Sequence, residues 1–174
     1  PALADAAKAD PITPYADIRF RLELVDQEGL PEDATASTIR LRAGLKTAEW
    51  NGLSALIEGE AIARVGPRHF NDTVNGLTAY PVVADPSDIL LNQAWIKFKP
   101  VKEVEALAGR QAVNFDNQRW IGSVGWRQND QTLDAARLNI NPVKGVTLDY
   151  GYAWRVNRVF GPDSPQGIWR DNDI

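Results

Sequence analysis

The chain has 174 residues, a formal net charge of −4, 44% hydrophobic residues and no cysteine. Mean hydropathy is −0.33, and no run approaches the roughly 18 consecutive apolar residues of a membrane helix. These values bound the chain to one domain and exclude a disulfide framework, a thiolate metal site and a cysteine nucleophile. The charge is too small and too mixed for nucleic-acid binding. A membrane β-barrel stays open, because alternation hides lipid-facing residues among polar ones.

The chain opens at Pro1 and contains no methionine, which points to a start after a processed signal peptide or an expression boundary. Residues 1–14 lack periodicity and read as a lead-in or tail, with residues 15–174 as one β-barrel segment. From Ile18 the apolar residues Ile18, Phe20, Leu22 and Leu24 alternate with Arg19, Arg21 and Glu23. Ile39, Leu41, Ala43 and Leu45 alternate with Arg40, Arg42, Gly44 and Lys46. Ala55, Ile57, Gly59 and Ala61 are set against Ser54, Leu56, Glu58 and Glu60, and Ala94, Ile96 and Phe98 against Gln93, Trp95 and Lys97. The segment Val104–Phe115 is less regular, with Leu107, Val113 and Phe115 opposite Arg110 and Asn114. Ala136, Leu138 and Ile140 face away from Arg137 and Asn139. The clearest run is Val146–Val156, where Val146, Leu148, Tyr150, Tyr152, Trp154 and Val156 share one face and Thr147, Asp149, Gly151, Ala153 and Arg155 the other.

About seven strands follow, several near the roughly 9–11 residues that a tilted strand needs to cross a bilayer. Their connections alternate in length. Short turns are expected at Thr47–Gly52, Pro100–Glu103 and Asn141–Gly145, where Asn51-Gly52 and Lys144-Gly145 supply hairpin chemistry. Long connections are expected at Asp26–Thr38, Ile62–Asp88 and Asn117–Gln131. Short turns at one end and long loops at the other are the organisation of an outer-membrane barrel. The expected fold is therefore all-β, an antiparallel up-and-down transmembrane β-barrel.

The polar positions form the candidate lumen: Arg19, Arg21, Glu23, Arg40, Arg42, Lys46, Glu58, Glu60, Lys97, Arg110, Arg137, Asp149 and Arg155. An excess of bases on this face of an acidic chain would focus a positive field and concentrate anions. Guanidinium groups also match carboxylates with two parallel hydrogen bonds. The same Arg and Glu residues would equally serve as cross-strand ladders that neutralise one another. His69, the single histidine, has Asp72 three residues on, too little for a catalytic constellation, so the chain reads as a non-enzyme. Asp26, Glu28, Glu32 and Asp33 crowd one loop without the spacing of a Ca²⁺ loop, and no cofactor or metal is implied. Trp50, Trp120, Trp126, Trp154 and Trp169 fall near inferred strand ends or loops, as in an interfacial girdle.

Taken together, RFRLELVDQEG at Arg19–Gly29, LRAGLKTAEWNGLSALIEGE at Leu41–Glu60, VGPRHFNDTVNG at Val65–Gly76 and LNQAWIKFKP at Leu91–Pro100 resemble the alginate-export family of outer-membrane porins, in their N-terminal part. GRQAVNFDNQRWIGSVGWRQNDQTLDAARL at Gly109–Leu138 and RVNRVFGPDSPQG at Arg155–Gly167 complete the resemblance. It implies a bacterial outer-membrane channel with an Arg-rich lumen, larger than seven strands, so this chain is expected to be part of a longer barrel. The partners it implies are an anionic saccharide or small anion, outer-membrane lipid and periplasmic export partners, with the barrel a monomer. Two other readings are a porin for small organic anions or other solutes and a soluble all-β carbohydrate-binding module. In the last, the apolar strand faces would build a sandwich core.

Overall fold

The computed structural model describes residues 11–170. Among them lie eight strands and no helix: β1 (Ile12–Val25), β2 (Ala34–Thr47), β3 (Leu53–Arg64), β4 (Asp88–Val101), β5 (Val104–Gln111), β6 (Thr132–Val143), β7 (Val146–Asn157) and β8 (Ile168–Arg170). They form a single antiparallel sheet in sequence order, each strand paired with the next. β1 and β8 share no ladder, so the sheet is open, consistent with part of a larger barrel wall. β1 and β2 have 14 residues each, enough to cross a bilayer at a tilt.

Alternation sets the two faces and the register locks them. Arg19 lies opposite Arg40 and Phe20 opposite Ile39. Arg42 pairs with Glu60, and Ile57 pairs with Ala94 across the next ladder. On β7, Leu148 faces Ile140 and Tyr150 faces Leu138, while Asp149 meets Asn139 on the other side. The apolar face is open: Phe20 is 62% exposed, Tyr150 70%, and Ile18, Leu41, Ile57, Ile96 and Leu148 are exposed as well. A sandwich would bury these side chains under a second sheet, and no second sheet exists among the described residues. The soluble-module expectation fails on this point. A buried apolar cluster, Ala34, Ala36, Phe70 and Val83, sits between the start of β2 and the loop 65–87.

The connections segregate as expected. Residues 48–52, 102–103 and 144–145 make short turns at one end, and residues 26–33, 65–87, 112–131 and 158–167 make longer connections at the other.

Several details depart from the sequence reading. β2 begins at Ala34 and β3 runs to Arg64, so both strands extend into the connections expected at Asp26–Thr38 and Ile62–Asp88. β1 begins at Ile12, so Ile12–Pro14 belong to the sheet; among the described residues β1 is an edge strand, where proline is tolerated. The rest of the lead-in, residues 1–10, lies outside the described residues. The strand count is eight, because β8 has three residues, too few for a periodicity to show. In β5 the register places Leu107 directly beside Lys97 and Arg137, on their face, and the strand ends at Gln111 before Val113 and Phe115. Gly109 explains the lost alternation: its φ is +121°, and a Cβ would lie 2.2 Å from the Ala94 carbonyl oxygen. Finally, a register shift at Asp134/Ala135 leaves Trp154 unpaired and brings Arg155 opposite Asp134, so the alternation of β7 breaks before Val156.

Candidate functional site

The polar face of β1, β2 and β3 carries a dense group of ion pairs, and two long loops fold onto it. The strand register creates the row: Asp17 opposite Arg42, Arg19 opposite Arg40 and Arg21 opposite Thr38. Each guanidinium is then met by an acid or a loop carbonyl. Arg21 donates to Glu23 and, from Nη1, to Asp85 Oδ2 at 2.7 Å. Arg40 donates to Asp17. Arg42 donates to Glu60 through Nε, and its Nη2 lies 2.9 Å from Asp130 Oδ1. Arg19 has no carboxylate at ion-pair distance among the described residues; it donates to the carbonyls of Gly125 and Arg127 and, at 2.9 Å, to Gln128 Oε1. A carboxylate or carbonyl at every guanidinium is what a half-buried cation requires, since an unpaired one would carry its full desolvation cost.

Gln128 is the hub of this arrangement. It is fully buried and uses both ends of its side chain and its backbone. Its Nε2 donates to the Thr38 carbonyl at 3.1 Å and to Thr38 Oγ1 at 3.0 Å. Its backbone N–H donates to Asp85 Oδ1 at 3.1 Å, and its carbonyl accepts from Arg42 Nη2 at 3.2 Å. Asp85 therefore ties loop 65–87 to loop 112–131, and Gln128 ties both to β2. Three polar atoms in the cluster are buried without a hydrogen-bond partner among the described residues, Arg40 Nε, Glu60 Oε1 and Asp130 Oδ1, the last at ion-pair distance from Arg42.

Trp126 projects from the same loop. The Arg127 guanidinium carbon lies 4.2 Å and that of Arg21 5.1 Å from the centre of its ring, within cation–π range. Arg127 Nη1 donates to Glu23 at 3.2 Å. Burial lowers the Arg127 pKa from its ordinary value, Glu23 and Asp85 raise it again and Arg21 lowers it further.

Toward the short-turn end a second cluster centres on Glu58. It accepts from the Tyr15 hydroxyl at 2.8 Å, from Asn92 Nδ2 at 2.6 Å and from Gln93 Nε2 at 3.3 Å. The register shift between Glu58 and Gly59 makes room for Asn92 as the extra residue of β4. Gly44, opposite Glu58 and Tyr15, leaves space for the tyrosine ring: a Cβ there would lie 2.6 Å from the Tyr15 hydroxyl. Lys46 is exposed one rung further on, and Lys97 lies 3.6 Å from Glu105.

The remaining candidates fall into separate groups along β5–β7. Arg110 holds Asp134 through two hydrogen bonds of 2.7 and 3.0 Å, with Arg155 3.9 Å from the same carboxylate. Arg137 donates to Asp149 at 2.7 Å, and Asn139 joins it. So the structure brings Arg19, Arg21, Glu23, Arg40, Arg42 and Glu60 into one cluster, places Glu58 beside it, and leaves Arg110, Arg137, Asp149 and Arg155 in two others.

Sequence reasoning missed Asp17, Asp85, Trp126, Arg127, Gln128 and Asp130. Asp17 was within reach, since it continues the alternation of Arg19 and Arg21 toward Ile12. The other five lie on loops, where no periodicity says which side chains turn back to the sheet. Trp126 also departs from the girdle expectation, as it stacks on cations of the polar face. His69 serves the fold: its carbonyl accepts from Thr35 N–H and its ring stacks on Tyr80. Asp72 caps a turn by accepting from the N–H groups of Val74 and Asn75. Among the described residues, no three acidic or histidine side chains gather into a metal-holding group.

A family model described as alginate export matches residues 17–157. No curated protein matches the chain.

Proposed function

We propose that this chain, which belongs to the alginate-export family, forms part of the wall of an outer-membrane channel that passes an anionic polysaccharide of the alginate type. The family is one of transport porins. The observation that carries the reading is the inverted sheet, with its apolar face open and its charged face folded under long loops. An open apolar surface of this extent is stable in lipid and a liability in water. The short-turn end then faces the periplasm, where export partners would deliver the chain, and the looped end faces outward.

The Arg row suits a polyuronate because guanidinium groups bind carboxylates in a fixed geometry. Its acidic partners adjust the mechanism. A bare row of cations would trap a polyanion, whereas ion-paired cations exchange one carboxylate for another at each step and hold it weakly enough to release it. Movement along the wall would then be a succession of partner exchanges. Single-channel recording of the full-length barrel in a planar bilayer tests this. Uronic-acid oligosaccharides should block the current at concentrations at least about tenfold lower than neutral oligosaccharides of equal length. The ratio should shrink as salt rises and the Debye length falls below about 8 Å. Equal block by both, or preferential block by simple organic anions, would favour a general solute porin.

A further inference from the structure

Trp126 is unusual among the aromatic residues of this chain in sitting within the charged cluster while staying 59% exposed. Its backbone is pinned on both sides by one guanidinium: Arg19 Nη1 donates to the Gly125 carbonyl at 2.9 Å, and Arg19 Nη2 donates to the Arg127 carbonyl. The turn closes with a hydrogen bond of 2.9 Å from Arg127 N–H to the Val124 carbonyl. The ring is therefore held in place before any ligand arrives, which lowers the entropic cost of using it. Beside it, Glu23 Oε2 accepts from both Arg21 and Arg127 and draws the two cations together. Among the described contacts, Arg127 donates through Nη1 alone, and 15% of its side chain is exposed beside the ring.

We propose that Trp126 and Arg127, with Arg21 behind them, form a binding subsite for one acidic pyranose residue. The apolar C–H face of the sugar lies on the exposed part of the indole, and its carboxylate takes the exposed N–H groups of the Arg127 guanidinium beside the ring. A flat, rigid, exposed ring suits the C–H face of a pyranose, because its π-electrons attract polarised C–H groups and its area displaces water. The adjacent cations make the same place select a carboxylate over a hydroxymethyl group. Neither feature alone distinguishes an acidic sugar from a neutral sugar or from another anion, and their combination does. Glu23, which keeps its bond to Arg127 Nη1 throughout, shares the charge of that guanidinium and so keeps the added carboxylate weakly enough held to leave.

The proposal rests on the channel reading above, and the test separates the two. The full-length barrel is recorded with two blockers of matched charge: a uronic-acid oligosaccharide and an oligoglutamate, which has carboxylates but no pyranose rings. Trp126→Leu should weaken oligouronate block about three- to tenfold and leave oligoglutamate block unchanged. Trp126→Phe, which keeps a ring, should recover most of the loss. Equal weakening for both blockers would mean that the substitution only disturbs the cations, and unchanged oligouronate block would mean that the ring touches no sugar; either overturns the subsite while the channel reading stands. A wild-type barrel blocked by neither compound overturns both. If Trp126→Leu does not assemble, the fluorescence difference between wild type and Trp126→Phe carries the test. That difference should change on adding oligouronate and not on adding oligoglutamate, and no change would overturn the subsite.

Discussion

Gln128 shows how much of the site depends on one uncharged side chain. It contacts β1, β2 and loop 65–87 at once, with Arg19 and Arg42 among its donors and Thr38 and Asp85 among its acceptors. Removing its amide would leave the Arg19 Nε–H and the Thr38 carbonyl without that partner, and hydrogen bonds to charged groups are worth about 1.5–3 kcal/mol each. Gln128→Ala should therefore loosen loop 112–131 without unfolding the sheet, whose ladders do not involve it. Limited trypsin digestion of the folded barrel should cut after Arg119 and Arg127 about tenfold faster than in the wild type. Unchanged cutting would show that the loop is held elsewhere.

At the scale of the strand, the apolar alternation carries a second expectation. Tyr150 lies mid-strand on the open face of β7, and Asn139 lies on the charged face of β6 beside Asp149. Tyr150→Arg would put a charge into lipid and should cost about 2–4 kcal/mol, while Asn139→Arg should cost little. Refolding titrations in bilayers measure both, and equal costs would contradict the assignment of faces. These faces were legible because period-two alternation is written locally, residue by residue, along β1, β2, β3, β6 and β7. The irregularities were not. Gly109 and the register shifts at Glu58/Gly59 and Asp134/Ala135 arise from how neighbouring strands meet, and a single strand's pattern does not contain that information. The charged row was legible for the same reason as the strands, and its partners were hidden for the opposite one. Arg19, Arg21, Arg40 and Arg42 stand at alternating positions, whereas Asp85, Gln128 and Asp130 reach them from loops far away in sequence.

For the whole molecule, the decisive feature is a sheet that turns its apolar side outward and folds its long loops onto the other. Five guanidinium groups, of Arg19, Arg21, Arg40, Arg42 and Arg127, stand against five carboxylates, of Asp17, Glu23, Glu60, Asp85 and Asp130, so a preference for anions would come from where the cations stand and not from net charge. Arg19 meets only carbonyl and amide oxygens among its described hydrogen-bond partners, with Asp17 and Asp130 acting on it from beyond ion-pair distance. Pairing should make selectivity moderate and dependent on ionic strength, since screening acts first on fields that are already partly balanced. The most direct measurement is the reversal potential of the full-length barrel in a planar bilayer under a salt gradient, for the wild type and for Arg19→Gln. The wild type should favour anions at low salt, and Arg19→Gln should shift the reversal potential toward cations without loss of channel insertion. A wild-type barrel that favours cations, or one whose reversal potential ignores Arg19→Gln at low salt, would contradict the account.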